Sequence, residues 1–301
     1  MKKKKIFLSG VGGMLGEAFY KTFSKKYELK CTDIDINENW LEYLDFRESE
    51  KYLSLVEEFK PDYLFHIGAY TNLEYCEQNQ TETFNTNTES VKTAVNISNK
   101  LNIPLLYIST AGIFDGLKDC YDENDTPKPI GVYAQSKFDA EKFVLKNSEK
   151  FLICRAGWMM GGGPKKDKKF VQKIMKQIKD GKKEIFVVDD KFGTPTYTYD
   201  FAKNTEVLIE NKSWGLYNMV CEGNTSRYEV ANEILKILNI QNSIKLTKVN
   251  SDYFSEVYFA KRPESENLIN GELNKKNLNL MRSWHETLKE YLETSYSTYL
   301  K

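Results

Sequence analysis

Residues 5–16 read KIFLSGVGGMLG, and how this stretch is read decides the fold. A short apolar run, long enough for a buried strand, leads into glycines at 10, 13 and 16. Leu15, Phe19 and Phe23 then recur at helical spacing to about Lys25. Strand, glycine turn and helix together make a nucleotide site credible. Glycines let the backbone approach a pyrophosphate, and the helix N-terminus offers free N–H groups and a partial positive charge. The spacing is GxxGxxG rather than GxGxxG, so an ordinary strand-to-helix turn competes with this reading. The position near the start of the chain favours the nucleotide.

The chain outward from that turn keeps the same rhythm. Residues 28–32 read as a second strand ending at Asp33, with Asp35 just after. An acid about 20 residues past the glycines bonds the adenosine ribose and repels a 2′-phosphate, which favours NAD(H) over NADP(H). Lys30 or Arg47 could offset that repulsion. Strands are expected at 41–45, 63–67, 104–109 and 151–156, and helices at 47–59, 82–101 and 130–146. Strands alternating with helices imply an α/β, Rossmann-like, doubly wound parallel sheet. His66, at the end of the fourth strand, reads as a packed histidine. Residues 157–168 read as a mobile loop. Beyond them, a helix at 169–180, a strand at 184–188 and helices at 199–210, 227–238 and from about His285 build a smaller lobe. The expected division is a dinucleotide domain over 1–157, with about 184–210 returning to it, and an interleaved substrate lobe over 158–301.

Composition narrows the function. The chain has 301 residues, 41% hydrophobic and 29% charged, as a globular protein does. Lys+Arg and Asp+Glu are both 43, which gives no reason to expect a nucleic-acid partner. The basic run at 165–169 reads as a solvated face rather than a phosphate site. Cys31, Cys76, Cys120, Cys154 and Cys221 are widely spread and odd in number, so buried thiols in a reducing cytoplasm are expected. With His66 and His285 alone, a histidine metal site or a Ser-His-Asp triad is poorly supported, and no metal is expected. The basic start is followed by apolar residues broken by four glycines, which reads as strand and turn rather than a signal peptide. No stretch reaches the ~18 apolar residues of a membrane span.

The chemistry centres on YAQSK, residues 133–137. A free tyrosine has a pKa near ~10. A lysine one helical turn away favours the phenolate and can also hold the nicotinamide ribose. A hydroxyl from Thr110 can orient a carbonyl and steady its developing oxyanion. With hydride from the nicotinamide, these groups suffice for carbonyl–alcohol interconversion. Separately, Tyr133 could be a surface tyrosine, Lys137 a solvated lysine and Thr110 a strand-end cap. Together with the glycine turn, those bland readings lose ground.

These motifs resemble the extended short-chain dehydrogenases/reductases and, within them, the dTDP-4-dehydrorhamnose reductases. The resemblance covers almost the whole chain: GVGGMLG at 10, HIGAYTNLE at 66, ISTAGIFDG at 108, YAQSK at 133, CRAGW at 154, DDKFGTPT at 189 and KRPESENL at 261. It implies that Thr110, Tyr133 and Lys137 form the catalytic set. It implies a dinucleotide site lined by Gly10, Gly13, Met14, Leu15, Gly16, Asp33, Asp45, Phe46, Gly68, Ala69 and Asn87, with Tyr133 and Lys137. Thr71, Trp158 and Arg262 would meet a nucleotide-sugar. The implied reaction is NAD(P)H-dependent reduction of a nucleotide-activated 4-keto-6-deoxy sugar. Where such reductases usually carry Asp-Tyr after the threonine, this chain has Ala111-Gly112, which leaves the sugar open. These two residues cannot supply the acid and base of a 4,6-dehydratase. A 4-epimerase remains an alternative. So does a non-catalytic regulatory subunit, because that of methionine adenosyltransferase is similar to this family. A homodimer is possible through the helices at 82–101 and 130–146.

Overall fold

The computed structural model describes residues 3–300; Met1 and Lys2 of the basic start lie outside them. In chain order the elements are β1 (Lys5–Ser9), α1 (Met14–Phe23), β2 (Glu28–Asp33), β3 (Leu41–Tyr43), α2 (Ser49–Phe59), β4 (Tyr63–His66), α3 (Leu73–Gln78), α4 (Gln80–Phe84), a π-turn (Asn85–Glu89), α5 (Ser90–Leu101), β5 (Leu105–Thr110), α6 (Val132–Asn147) and β6 (Phe151–Ala156). The second half adds β7 (Trp158–Met160), α7 (Gly163–Lys166), α8 (Phe170–Lys179), β8 (Glu184–Val188), β9 (Phe192–Gly193), β10 (Pro195–Tyr197), α9 (Thr198–Glu210), β11 (Gly215–Asn218), β12 (Thr225–Ser226), α10 (Arg227–Ile237), β13 (Lys245–Val249), β14 (Ser265–Glu266), α11 (Gly271–Lys275) and α12 (Trp284–Ser295).

Seven strands form one parallel sheet in the order β11-β6-β5-β4-β1-β2-β3. Alternation along β1 shows how the sequence makes two layers. Ile6 and Leu8 face one core with Phe19, Phe23 and Phe65; Phe7 faces the other with Tyr52, Val56 and Val95. Burying Phe7 and Phe19 fully contributes roughly 2–3 kcal/mol each. The strand order reverses between β1 and β4, so the crevice beyond their carboxyl ends is the natural ligand site.

Three expectations need correction. The helix foreseen at 82–101 is broken into α4, the π-turn and α5. Of the segment expected to return, 184–210, only α9 does so, packing on α1 through Phe201 against Phe19; β8 pairs in parallel with β13 inside the lobe, and β11 is what joins the sheet beside β6. Four residues opening on a glycine carry too little periodicity to announce a strand. Residues 157–168 are also more than a loop, because β7 pairs with β10 and α7 begins behind Gly162, which is at a φ of +72°.

Candidate active site

The reversal point opens into a cleft of about 1140 Å³ between the sheet and the lobe. Its floor is the glycine turn. Gly10 has φ +74°, and a Cβ there would lie 2.2 Å from Gly68 Cα, so the ends of β1 and β4 touch backbone to backbone. Gly16 is held by a different limit, since a Cβ would fall 2.0 Å from the Val11 carbonyl oxygen. Gly13 is open: among the described residues nothing lies within 4 Å of where its Cβ would be, and no side chain caps α1. Met14 and Leu15 follow along the same wall. An uncapped helix start behind an open glycine fits a pyrophosphate.

Asp33 ends β2, where its Oδ2 accepts from Gly12 N–H at 2.7 Å and its Oδ1 from Asp35 N–H at 2.9 Å. The acid thus braces the turn as well as facing the cleft. Asp45 pairs with Arg47 at 2.6 Å, which holds its carboxyl below the usual range, and Phe46 packs edge-on to His66 at 4.7 Å. Gly68 and Ala69 pass over the cleft as the sequence suggested. His66 is buried, bonded to Ser9 (3.1 Å) and Ser90 (3.0 Å), and is pushed down to about 3 by burial and by Lys137.

Asn87 departs from its expected role. It is fully buried in the π-turn, and its amide accepts from Tyr70 N–H (2.8 Å) while donating to the Tyr70 carbonyl (3.0 Å) and Ser136 Oγ (3.1 Å). It ties the Gly68–Thr71 passage to α6 rather than lining the cleft.

The reacting end is built by β5 and α6. Glu77 caps α6 from outside, accepting from Val132 N–H at 2.8 Å. Thr88 Oγ1 donates to the Ser136 carbonyl at 2.8 Å, fixing the rotation of the helix. Thr110, at the end of β5, lines the cleft beside Tyr133, and its Oγ1 accepts from Gly112 N–H at 3.1 Å. Lys137, 3% exposed, places Nζ 4.3 Å above the Tyr107 ring. Burial dominates both groups. It pushes the Tyr133 phenol up, against the pull of Thr110 and with help from the Cys76 and Glu266 charges. It pushes Lys137 down to about 7, against the Glu141 carboxylate. The lowering of the phenol by the lysine, expected from their spacing, is not seen: burial is the largest influence on Tyr133, and Lys137 is not among the groups that act on it.

The lobe supplies the opposite wall. Trp158 Nε1 donates to Glu266 Oε2 at 2.7 Å, and the Arg227 guanidinium stacks 3.5 Å over the same indole. Burial lowers Arg227 to about 10. Arg262 pairs with Glu74 at 2.7 Å and donates to the Ala260 carbonyl. Thr71 accepts from Lys169 Nζ at 2.9 Å. The basic run is not simply solvated: Lys166 is buried and pairs with Glu38 at 3.1 Å, and Lys169 lines the cleft. Sequence reasoning missed Gly12, Glu77, Lys169, Arg227 and Glu266. Gly12 and Glu266 lay inside motifs already noticed and Lys169 inside the basic run read as solvated, whereas Arg227 had no local signal.

A family model described as the RmlD substrate binding domain matches residues 4–297. The chain belongs to that family. Among RmlD relatives, it is 27% identical over 275 residues to the dTDP-4-dehydrorhamnose reductase of Aggregatibacter actinomycetemcomitans, covering 86% of this chain and 88% of that one. It is 22% identical to methionine adenosyltransferase 2 subunit beta of Danio rerio, over 80% and 76%. The crystal structure of dTDP-4-dehydrorhamnose reductase from Bacillus anthracis in complex with NADP superposes with a TM-score of 0.88 at 26% identity, covering 97% of this chain and 99% of that one. The motif-based resemblance to the dTDP-4-dehydrorhamnose reductases is borne out. Among the described residues no helix is long and apolar enough to cross a membrane.

Proposed function

We propose that the protein is an NAD(P)H-dependent oxidoreductase that reduces the C4 carbonyl of a nucleotide-activated 4-keto-6-deoxy sugar. The carrying observation is the convergence of three groups. Thr110 lies close enough to Tyr133 to act on its phenol, and Lys137 lies one turn along α6, all in the cleft that begins at the open Gly13. Tyr133 gives its proton to the carbonyl oxygen, and Thr110 donates to the same oxygen as charge develops. Lys137 holds the nicotinamide ribose. The bound nicotinamide supplies the hydride. Thr71, Trp158 and Arg262 meet the nucleotide-sugar from the lobe side.

NAD(H) is the preferred cofactor in this reading. Asp33 faces the adenosine end, while the two cations able to offset it are engaged: Lys30 with Glu42 at 2.8 Å and Arg47 with Asp45. The likeness to the methionine adenosyltransferase subunit keeps a non-catalytic binding role as the second reading. The complete Thr110–Tyr133–Lys137 set weighs against it. The test is NADH and NADPH oxidation with dTDP-4-keto-6-deoxy sugars by the wild type and by Tyr133→Phe. The variant is expected to bind both ligands and to lose about 10²–10⁴ in kcat. Turnover at the wild-type rate would overturn the assignment. An epimer formed without net NAD(P)H consumption would make the protein an epimerase.

A further inference from the structure

The reacting end of the cleft holds a carboxylate that the proton-transfer scheme leaves without a task. Glu266 comes from β14, at the far side of the lobe from Tyr133 in sequence. Its Oε2 is taken by Trp158 Nε1–H at 2.7 Å. Its Oε1 has no hydrogen-bond donor among the described residues and points at Gly112: a Cβ on Gly112 would sit 3.2 Å from Oε1 and 3.5 Å from Thr110 Oγ1. The carboxylate is also close enough to act on the Tyr133 phenol. Glu266 therefore reaches the space left by the missing side chain at 112, next to the hydroxyls that meet the carbonyl oxygen.

We infer that Glu266 determines how the sugar ring lies in the cleft, and so which face of C4 receives the hydride; this rests on the reductase reading above. A 4-keto-6-deoxy hexose has two carbons beside its carbonyl. C3 carries a hydroxyl, a hydrogen-bond donor. C5 carries the ring oxygen and a methyl group, which donate nothing. With the C4 oxygen fixed by Tyr133 and Thr110, the ring can be turned about the C4–O axis in two ways. One brings the C3 hydroxyl to Glu266 Oε1; the other brings the methyl group against an anionic oxygen. The first gains a charge-assisted hydrogen bond and the second strands a charge against carbon. The two orientations present opposite faces of the ketone to the nicotinamide. In either, hydride adds to C4, the carbonyl π-pair takes the Tyr133 proton, and NAD(P)H becomes NAD(P)⁺; only the configuration at C4 differs.

The experiment measures product configuration by NMR and kcat/KM for a dTDP-4-keto-6-deoxy sugar and its 3-deoxy analogue, in wild type, Glu266→Gln and Glu266→Ala. Wild type is expected to give one C4 epimer and to lose about tenfold to a hundredfold on the 3-deoxy substrate. Glu266→Gln, whose oxygen accepts from Trp158 Nε1–H and whose amide N–H can donate to the C3 hydroxyl oxygen, retains the single epimer. Glu266→Ala gives both epimers and no longer distinguishes the two substrates. Gly112→Ala, which crowds Oε1 while leaving the carboxylate in place, shifts the epimer ratio the same way. A merely structural role, as a prop for Trp158, would lower kcat/KM equally on both substrates and leave one epimer; that result overturns the inference. Calorimetry with dTDP-rhamnose and its 3-deoxy form separates the two readings. If no preparation consumes NAD(P)H, the reductase reading fails. The orientation claim then stands only if wild type prefers the 3-hydroxy ligand about tenfold and Glu266→Ala does not.

Discussion

The Lys137 ammonium lies 4.3 Å above the ring of Tyr107, and the Tyr107 hydroxyl donates to the carbonyl of that same lysine at 2.9 Å. One side chain thus holds Lys137 from two directions, by its backbone and by its charge, with no carboxylate in direct contact among the described residues. Lys137 is pushed down to about 7, mainly by burial. Below that pH the lysine is protonated whether folded or unfolded, and burial opposes folding in full. Between about 7 and the ordinary 10.5 only the unfolded chain keeps the proton, so stability rises with pH. The slope from this group approaches ~1.4 kcal/mol per pH unit. Lys137→Met is expected to flatten that rise. Urea denaturation of both proteins across this range checks it.

His66 gives a second pH dependence, on the acid side. It sits near 3 in the folded chain against an ordinary 6.5. Above 6.5 it is neutral in both states. As pH falls towards 3 the unfolded chain takes up a proton that the folded one refuses, and stability drops. His66→Gln is expected to shallow the acid limb of a thermal-melt series in that window.

Two glycines of the same turn are expected to fail differently. Gly10→Ala places a methyl 2.2 Å from Gly68 Cα at a φ of +74°. It should destabilise the fold strongly, seen as a melt several degrees lower or as insoluble protein. Gly13→Ala meets nothing in the protein and should melt as wild type does. Its methyl stands where a pyrophosphate would approach, so a fluorescence titration with NADH should show affinity reduced about tenfold or more.

The Glu141–Arg155 pair is buried at both ends, with Nη2–Oε1 at 2.5 Å and Nε–Oε2 at 3.1 Å. Glu141 lies on the same face of α6 as Tyr133 and Lys137, so this pair bolts the reacting helix to β6. Glu141→Ala should cost about 3–5 kcal/mol, because it leaves a guanidinium buried and unpaired. The double variant Glu141→Leu, Arg155→Met should recover most of that loss. Chemical denaturation of the three proteins checks both claims.

Most of the first domain was legible because its signals are local. The run at 5–16 carries strand, turn and helix in consecutive residues, and YAQSK carries its spacing in one helical turn. What escaped is what tertiary contact decides. β11 is a strand because β6 presents an open edge to it, not because Gly215-Leu216-Tyr217-Asn218 alternates. Asn87 looked like a cleft residue from its motif, yet the π-turn rotates it inward onto Tyr70 and Ser136. Glu266 and Arg227 meet at Trp158 from separate segments, and no spacing links them.

The placement of β11 bears on how this fold can be re-engineered. The sheet of the nucleotide half ends in a strand contributed from beyond the lobe's first elements, and β7 to β10 lie between it and β6 along the chain. The two halves are therefore not interchangeable cassettes. A chimera cut after residue 157 would bring in a foreign edge strand along with a foreign sugar pocket, and it would have to match the β6 register Gly215↔Leu152 to Asn218↔Arg155. Grafting new specificity onto this protein calls for replacing segments 158–197 and 219–300 around a retained α9 and β11.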